Sequence, residues 1–260
     1  MLRRNLAFTY INLSKWKLLS LQLRLRALMW KLIRTLFSGS PTGEKPQSVA
    51  QISTKPQMNF DAIKSEVEGI LKLDFRSEAA RELNGELVLN VLHHLDAEIE
   101  DVRQEANGYP ANPISALVWM NGAGYGNLAC ALTHHFRNAG WLKREENASA
   151  LWAKTTLAVC SHYHHMVGPA MLANADCQDR LGNAGQATQM YGGVVKDFAI
   201  IADGWLNETD APTDDDRLAL ESLQTATERL LSRGAEELDG IDLVLLQSQT
   251  KTILSRPSVT

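Results

Sequence analysis

From Asn59 onward, apolar positions recur every three or four residues, the period of helices that bury one face. Ile63, Val67, Ile70 and Leu71 form a first short stripe. Leu83, Leu87, Val91, Leu95, Ile99 and Val102 follow at almost unbroken four-residue spacing, and Ser77 stands where an N-cap would open that helix. Asn107-Gly108-Tyr109-Pro110 ends it. Asn112-Pro113 reads as a cap with proline at the first helical position, opening a helix to His135 or Arg137 that Asn138-Ala139-Gly140 closes. Another is predicted over 147–165 and stopped by Gly168-Pro169; four more are predicted over 170–181, 184–206, 214–232 and 236–254. Thr213 before Asp214, Asp215 and Asp216 puts a capping hydroxyl and three acids at a helix N-terminus, where the macrodipole favours negative charge. No set of alternating strands is visible. The pattern predicts an all-α body of seven or eight helices, a helical bundle or short α-solenoid of antiparallel helix pairs.

The N-terminal segment has its own pattern. Leu18, Leu21, Leu25, Leu28, Leu32 and Leu36 fall on one stripe, and Lys15, Lys17, Arg24, Arg26, Lys31 and Arg34 fall on the other side of the wheel. Trp16 and Trp30 lie toward the boundaries, where an indole suits a water–lipid interface. The expected organisation is a basic amphipathic arm over 1–37, a Ser-, Pro-, Gln- and Thr-rich linker over 38–57, and a helical domain over 58–260. Within 260 residues and a net charge of −4, residues 1–57 hold ten basic side chains against one acid, and the remainder holds 16 against 29. The arm therefore expects an anionic partner. Trp16, Lys17, Leu18, Leu21, Arg24, Leu25, Arg26, Leu28, Trp30, Lys31, Leu32, Arg34 and Leu36 would contact an anionic membrane, apolar face down. A partner helix or groove is a second reading of the arm, and an organelle transit peptide a third. A start at Met58, which would leave an acidic protein without the arm, is a fourth. No uncharged run before Lys31 exceeds the ten residues Asn5–Ser14, against roughly 20 apolar residues for a spanning helix.

Within the body, Ala173-Asn174-Ala175, then Leu181-Gly182-Asn183-Ala184-Gly185-Gln186-Ala187, then Tyr191 and Val194, resemble a single tetratricopeptide repeat. In that family a small residue on the first helix admits the second, a glycine closes the turn, and a small residue and an aromatic four positions on pack between the helices. Ala175, Gly182, Ala187 and Tyr191 occupy those positions. Gln178 stands where a large apolar residue is usual, and Ala199 where a helix-ending proline is usual. One repeat length back, the register gives Ala148, Ala153 and Leu157; one forward, it places Glu221 at the small position. The resemblance implies a helical-repeat platform presenting a groove to a peptide or protein, and no chemistry.

Candidate chemistry is sparse. Three cysteines with long gaps make no disulfide framework and fit a reducing compartment. Cys130 and His134-His135 share a frame with Cys160 and His164-His165, two pairs that could supply a tetrahedral zinc site. In an antiparallel hairpin where residue i faces about 283−i, however, the pairs stand roughly 10–16 Å apart along the axis, too far for one metal. None of the seven histidines has an acid three positions before it, which argues against a di-iron bundle. Asn121-Gly122-Ala123-Gly124-Tyr125-Gly126-Asn127 hints at a phosphate loop, but reads better as a flat ridge for close helix packing. Nucleophile and zinc-protease motifs are missing, Asp210–Asp216 lacks the ligand spacing of a calcium loop, and the acidic body repels nucleic acid. No cofactor, metal or catalytic residue is assigned.

Taken together, the sequence predicts a non-enzymatic helical adaptor or scaffold for a protein or peptide partner. It would be cytoplasmic and peripheral on a membrane through its arm, or organelle-targeted if the arm is a transit peptide. The alternative is a helical enzyme or small-molecule-binding protein using the His-bearing helices and the Gly122–Gly126 segment.

Overall fold

The computed structural model describes residues 60–107, 114–161 and 164–256. The chain divides into two compact units, 1–55 and 56–260, and the described residues all belong to the second. The arm, its membrane-contact residues and the linker lie outside them. The domain is all-α. Its helices are α1 (Phe60–Leu71), α2 (Glu78–Glu105), α3 (Ala116–Ala139), α4 (Leu142–Val159), α5 (Val167–Arg180), α6 (Ala184–Trp205), α7 (Asp214–Leu231) and α8 (Leu243–Leu254). One two-stranded antiparallel ribbon, β1 (Glu237–Leu238) with β2 (Ile241–Asp242), precedes α8.

Each helix packs on its neighbours in the chain, and α1 with α3, α2 with α4, α5 with α7 and α6 with α8 also meet. Neighbours run antiparallel: Gly122 faces Val159 and Gly126 faces Thr155, so both pairings on α3 and α4 sum to 281, two residues from the register expected from sequence. Alternate helices run parallel. Lys154 donates to Asp96, and one cavity is lined by Gly85 and Glu86 of α2 with Arg144 of α4, so advancing along one helix advances along the other and α2 lies alongside α4 in the same direction. Asp176 with Arg229 and Asp179 with Arg233 do the same for α5 and α7. The core runs through the layers without interruption, from Ile63, Val67 and Phe75 through Leu95, Leu132 and Phe136 to Phe198, Leu223 and Ile253. Each such apolar side chain contributes on the order of 1.5–3 kcal/mol by leaving water.

Caps read from sequence are present at Ser77, whose hydroxyl accepts from the Ala80 N–H, and at Thr213, which accepts from Asp216. Gly140 ends α3 in the left-handed region at φ 68°, where a side chain would be strained.

Other boundaries differ. Asn112-Pro113 lies outside the described residues, and it is Ser115 that caps α3, accepting from the Val118 N–H. Helix α4 begins at Leu142 rather than Asn147, because Trp141 anchors its start: the indole centroid is 5.0 Å from Phe75 and 5.7 Å from Phe136. It ends at Val159, where Cys160 turns extended, short of the expected 165. Gly168-Pro169 sits inside the first turn of α5 instead of stopping a helix; an N–H there has no intrahelical partner to lose. The expected helix over 236–254 is correct only from Leu243. Asp239 and Gly240, at φ 50° and 85°, form the two-residue turn that an Asp-Gly pair favours, and Asp242 caps α8 through the Leu245 N–H. Finally, Leu83 and Leu87 are not in the core. They are 84% and 49% exposed, and α2 instead buries Val88, Val91, Leu92, Leu95, Ile99 and Val102.

Candidate functional site

The four residues that carry the repeat resemblance meet at the α5–α6 hairpin. Ala175 and Ala187 are wholly buried, and Gly182 turns the chain between the helices at φ 85°. The Tyr191 ring is wholly buried with its hydroxyl donating to Asp176 Oδ1 at 2.5 Å, and the Arg233 guanidinium lies 4.8 Å above it. Burial, and then the Asp176 carboxylate, push the phenol well above its ordinary pKa. Gln178, unusual for the family, is buried and bridges the hairpin: its amide N–H donates to Glu146 at 3.4 Å, and its carbonyl accepts from Asn183 at 2.7 Å. Ala187→Trp would drive an indole into this contact. The expected loss is about 1–3 kcal/mol or more, read by urea unfolding; wild-type stability would mean that the two helices do not pack through Ala187.

The glycine segment serves packing. A Cβ on Gly122 would stand 2.4 Å from Val159 Cγ1, and one on Gly124 would stand 2.7 Å from the Phe60 ring. Between them, Tyr125 buries its ring and donates to Glu98 Oε2 at 2.9 Å.

The described histidines do not converge. His93 and His94 are exposed on α2, where His94 Nδ1 lies 3.3 Å from Glu66 Oε2. His134 is exposed at the end of α3, and His135 turns inward, edge-on to Phe75. His164 stacks on His165 at 4.2 Å between centroids, and His165 lies 3.4 Å from Asp215 on α7. Burial, then the neighbouring His165, lower the His164 pKa. Among the described residues, no three His, Cys, Asp or Glu side chains are placed to hold a metal. Burial outweighs any activation of the thiols. Burial pushes both Cys160 and Cys177 up to about 11, and Cys130 is raised for the same reason.

One charged cluster escaped the sequence pattern. Glu145, on the first turn of α4, is completely buried. Its Oε1 accepts from Arg137 Nε at 2.8 Å and also from Arg180, while Arg137 donates again to the Ala173 carbonyl at 3.2 Å. Three helices, α3, α4 and α5, are thereby tied by one carboxylate.

Among the described residues, an open feature lies between the parallel helices α2 and α4. Two cavities of about 390 and 310 Å³ follow one another along this pair. The first is lined by Glu78, Arg81, Glu82, Gly85 and Glu86 of α2 with Trp141 and Arg144. The second begins one turn further on, at Leu89 and Asn147, and ends at Asp96 and Lys154. Together they form a groove running from Glu78 to Asp96, about 27 Å at 1.5 Å per residue. Its floor is Leu89, Leu92, Ala150 and Leu151. At the far end Lys154 bridges Asp96 at 2.7 Å and Glu100 at 3.1 Å. Bonds from Arg103, and then from Lys154, pull the Glu100 carboxyl down to about 2.

The chain matches no known family model, curated protein or solved structure.

A groove of this kind could have been anticipated only by knowing that α2 and α4 are neighbours. Sequence spacing describes one helix at a time, and the 58-residue separation of Asp96 from Lys154 leaves no local signature. No helix among the described residues is long and apolar enough to cross a membrane.

Proposed function

We propose that the domain is a non-enzymatic adaptor that takes a helical segment of a protein partner into the groove between α2 and α4. The carrying observation is the groove's form: two parallel helices leave a channel along five turns of α2, charged side chains and Trp141 lining its first half and Leu89 and Ala150, over the buried Leu92 and Leu151, flooring its second. A third helix laid there would bury the floor and leave its own polar face in water. The repeat-like packing of α5 on α6 supports the same reading, since stacked helical hairpins are platforms for peptide and protein recognition. The test is a displayed library of helical peptides selected on the full-length protein. Ala150→Trp, at an exposed position of the floor, should abolish binding of the enriched sequences without loss of fold. If no enriched peptide is sensitive to it, the adaptor reading is lost.

The basic arm, in the same reading, holds the protein peripherally on an anionic membrane surface on the cytoplasmic side. Its leucine stripe and opposed Lys/Arg face support this. Replacing Leu21, Leu25 and Leu28 with Asp should release the full chain from phosphatidylserine-containing liposomes in a flotation assay. Wild-type protein that never floats with them would remove the membrane from the proposal.

A further inference from the structure

We infer that the turn between α4 and α5 is a proton-operated latch, held shut by a neutral His164 and opened when that ring takes up a proton. Helix α5 begins without the usual capping hydroxyl or carboxylate: Met166 occupies the cap position and its side chain makes no capping bond. His164 supplies an acceptor there instead. Its Nδ1 accepts from the Met166 N–H at 3.3 Å, while its carbonyl accepts from the Val167 N–H at 2.9 Å. A ring nitrogen accepts only through a free lone pair, so Nδ1 carries no proton and the ring in the closed turn is neutral. The packing next door depends on this turn. A Cβ on Gly168 would stand 2.5 Å from Ser222 and 2.8 Å from Phe198, so the first turn of α5 is pressed directly against α7 and α6.

The neighbouring ring sharpens the response. His165 stacks on His164 at 4.2 Å between centroids, and its Nε2 lies 3.4 Å from Asp215 Oδ1 at the start of α7. A charged His165 has that carboxylate as its partner. A charged His164 would set its new N–H against the Met166 N–H and its charge against the adjacent ring. Few other charges face the pair. Helix α4 carries none after Lys154 and α5 none before Asp176; α7 brings Asp214 and Asp216 on either side of Asp215, and α6 brings Asp197 next to Phe198. The Cys160 thiol stays neutral, since burial pushes it up to about 11. Burial, and then His165, lower the His164 pKa against a smaller opposing pull from Asp215. The folded chain therefore takes up this proton less readily than the unfolded one. Its contribution to stability is full above the ordinary value of 6.5 and is lost as pH falls through the lowered value.

The test follows backbone hydrogen exchange of the full chain by mass spectrometry, each rate divided by its intrinsic value at that pH. Peptides covering 164–172 should lose protection about tenfold or more between about pH 7.5 and about 5.5, while those covering 142–154 keep theirs. His164→Asn offers a side-chain oxygen to the same N–H but does not titrate, so it should keep the turn shut throughout. His165→Gln removes the neighbouring charge and should move the opening to higher pH. His162→Gln, at a position outside the described residues, should leave the opening in place. A wild-type turn that stays shut, or an opening that persists in His164→Asn, would overturn the latch. An opening abolished by His162→Gln would make another ring the sensor and overturn it equally. Should His164→Asn fail to fold, the Cε1–H resonance of His164 in the wild type decides: it titrates at the midpoint of the opening, and a separate midpoint overturns the proposal.

Discussion

Replacing Arg137 and Arg180 together with methionine lowers the unfolding free energy by about 3–5 kcal/mol, because it leaves a buried carboxylate without a partner. The direction follows from where the exposure lies. Glu145 is 0% exposed, whereas the arginine side chains are 31% and 43% exposed, so the guanidiniums can reach water and the carboxylate cannot. Removing the cations therefore strands the expensive charge; removing Glu145 does not. Adding Glu145→Met to the double variant should recover most of the loss, since an apolar side chain of similar length needs no counter-charge. Urea unfolding of the wild type, the double and the triple variant reads the coupling directly. A triple variant as unstable as the double would show that the helices are not held through this carboxylate.

The second large effect is at Gly122. Helix propensity alone would make Gly122→Leu favourable by up to about 1 kcal/mol. Packing reverses the sign. A Cβ would already stand 2.4 Å from Val159 Cγ1 and 3.2 Å from Val102 Cγ1, and both neighbours are β-branched side chains with little rotamer freedom. Seating three further carbons requires α3 to move away from α2 and α4 at once, an expected loss of about 3 kcal/mol or more. Gly126→Ala is the matched control. Its Cβ would lie 3.7 Å from Thr155 Cγ2, an ordinary contact, so this change should raise stability by about 0.5–1 kcal/mol. Paired melting curves that move in the same direction would contradict the packing found around the two glycines.

How much of this was legible in the chain varies with the range of the interaction. Ser77, Gly140 and Thr213 marked helix ends correctly because a cap is a local bargain between one side chain and the next turn. Asp239-Gly240 was equally local, yet the apolar spacing around Leu238, Ile241 and Leu245 imitates a helix and masked the turn. Leu83 and Leu87 continue the stripe of α2 in sequence but lie beyond the part of the helix face that other helices cover; spacing reports a pattern, and burial needs a neighbour. Glu145 was the least accessible. In the run Lys143-Arg144-Glu145-Glu146-Asn147, four charges and an amide look like a solvated turn. Only Trp141, locked among Phe75 and Phe136, starts the helix early enough to point that carboxylate inward.

Because every substantial helix contact joins elements one or two places apart, the chain forms its structure from pairings of short sequence separation. Little loop-closure entropy opposes such pairings, so the domain belongs with the fast folders, and its formation can start at any hairpin and spread in both directions. The same connectivity makes loss of structure directional. Among the described helices α8 packs on α6 and α7 alone, so its amides should exchange with solvent ahead of those in α4, which is flanked by α2, α3 and α5.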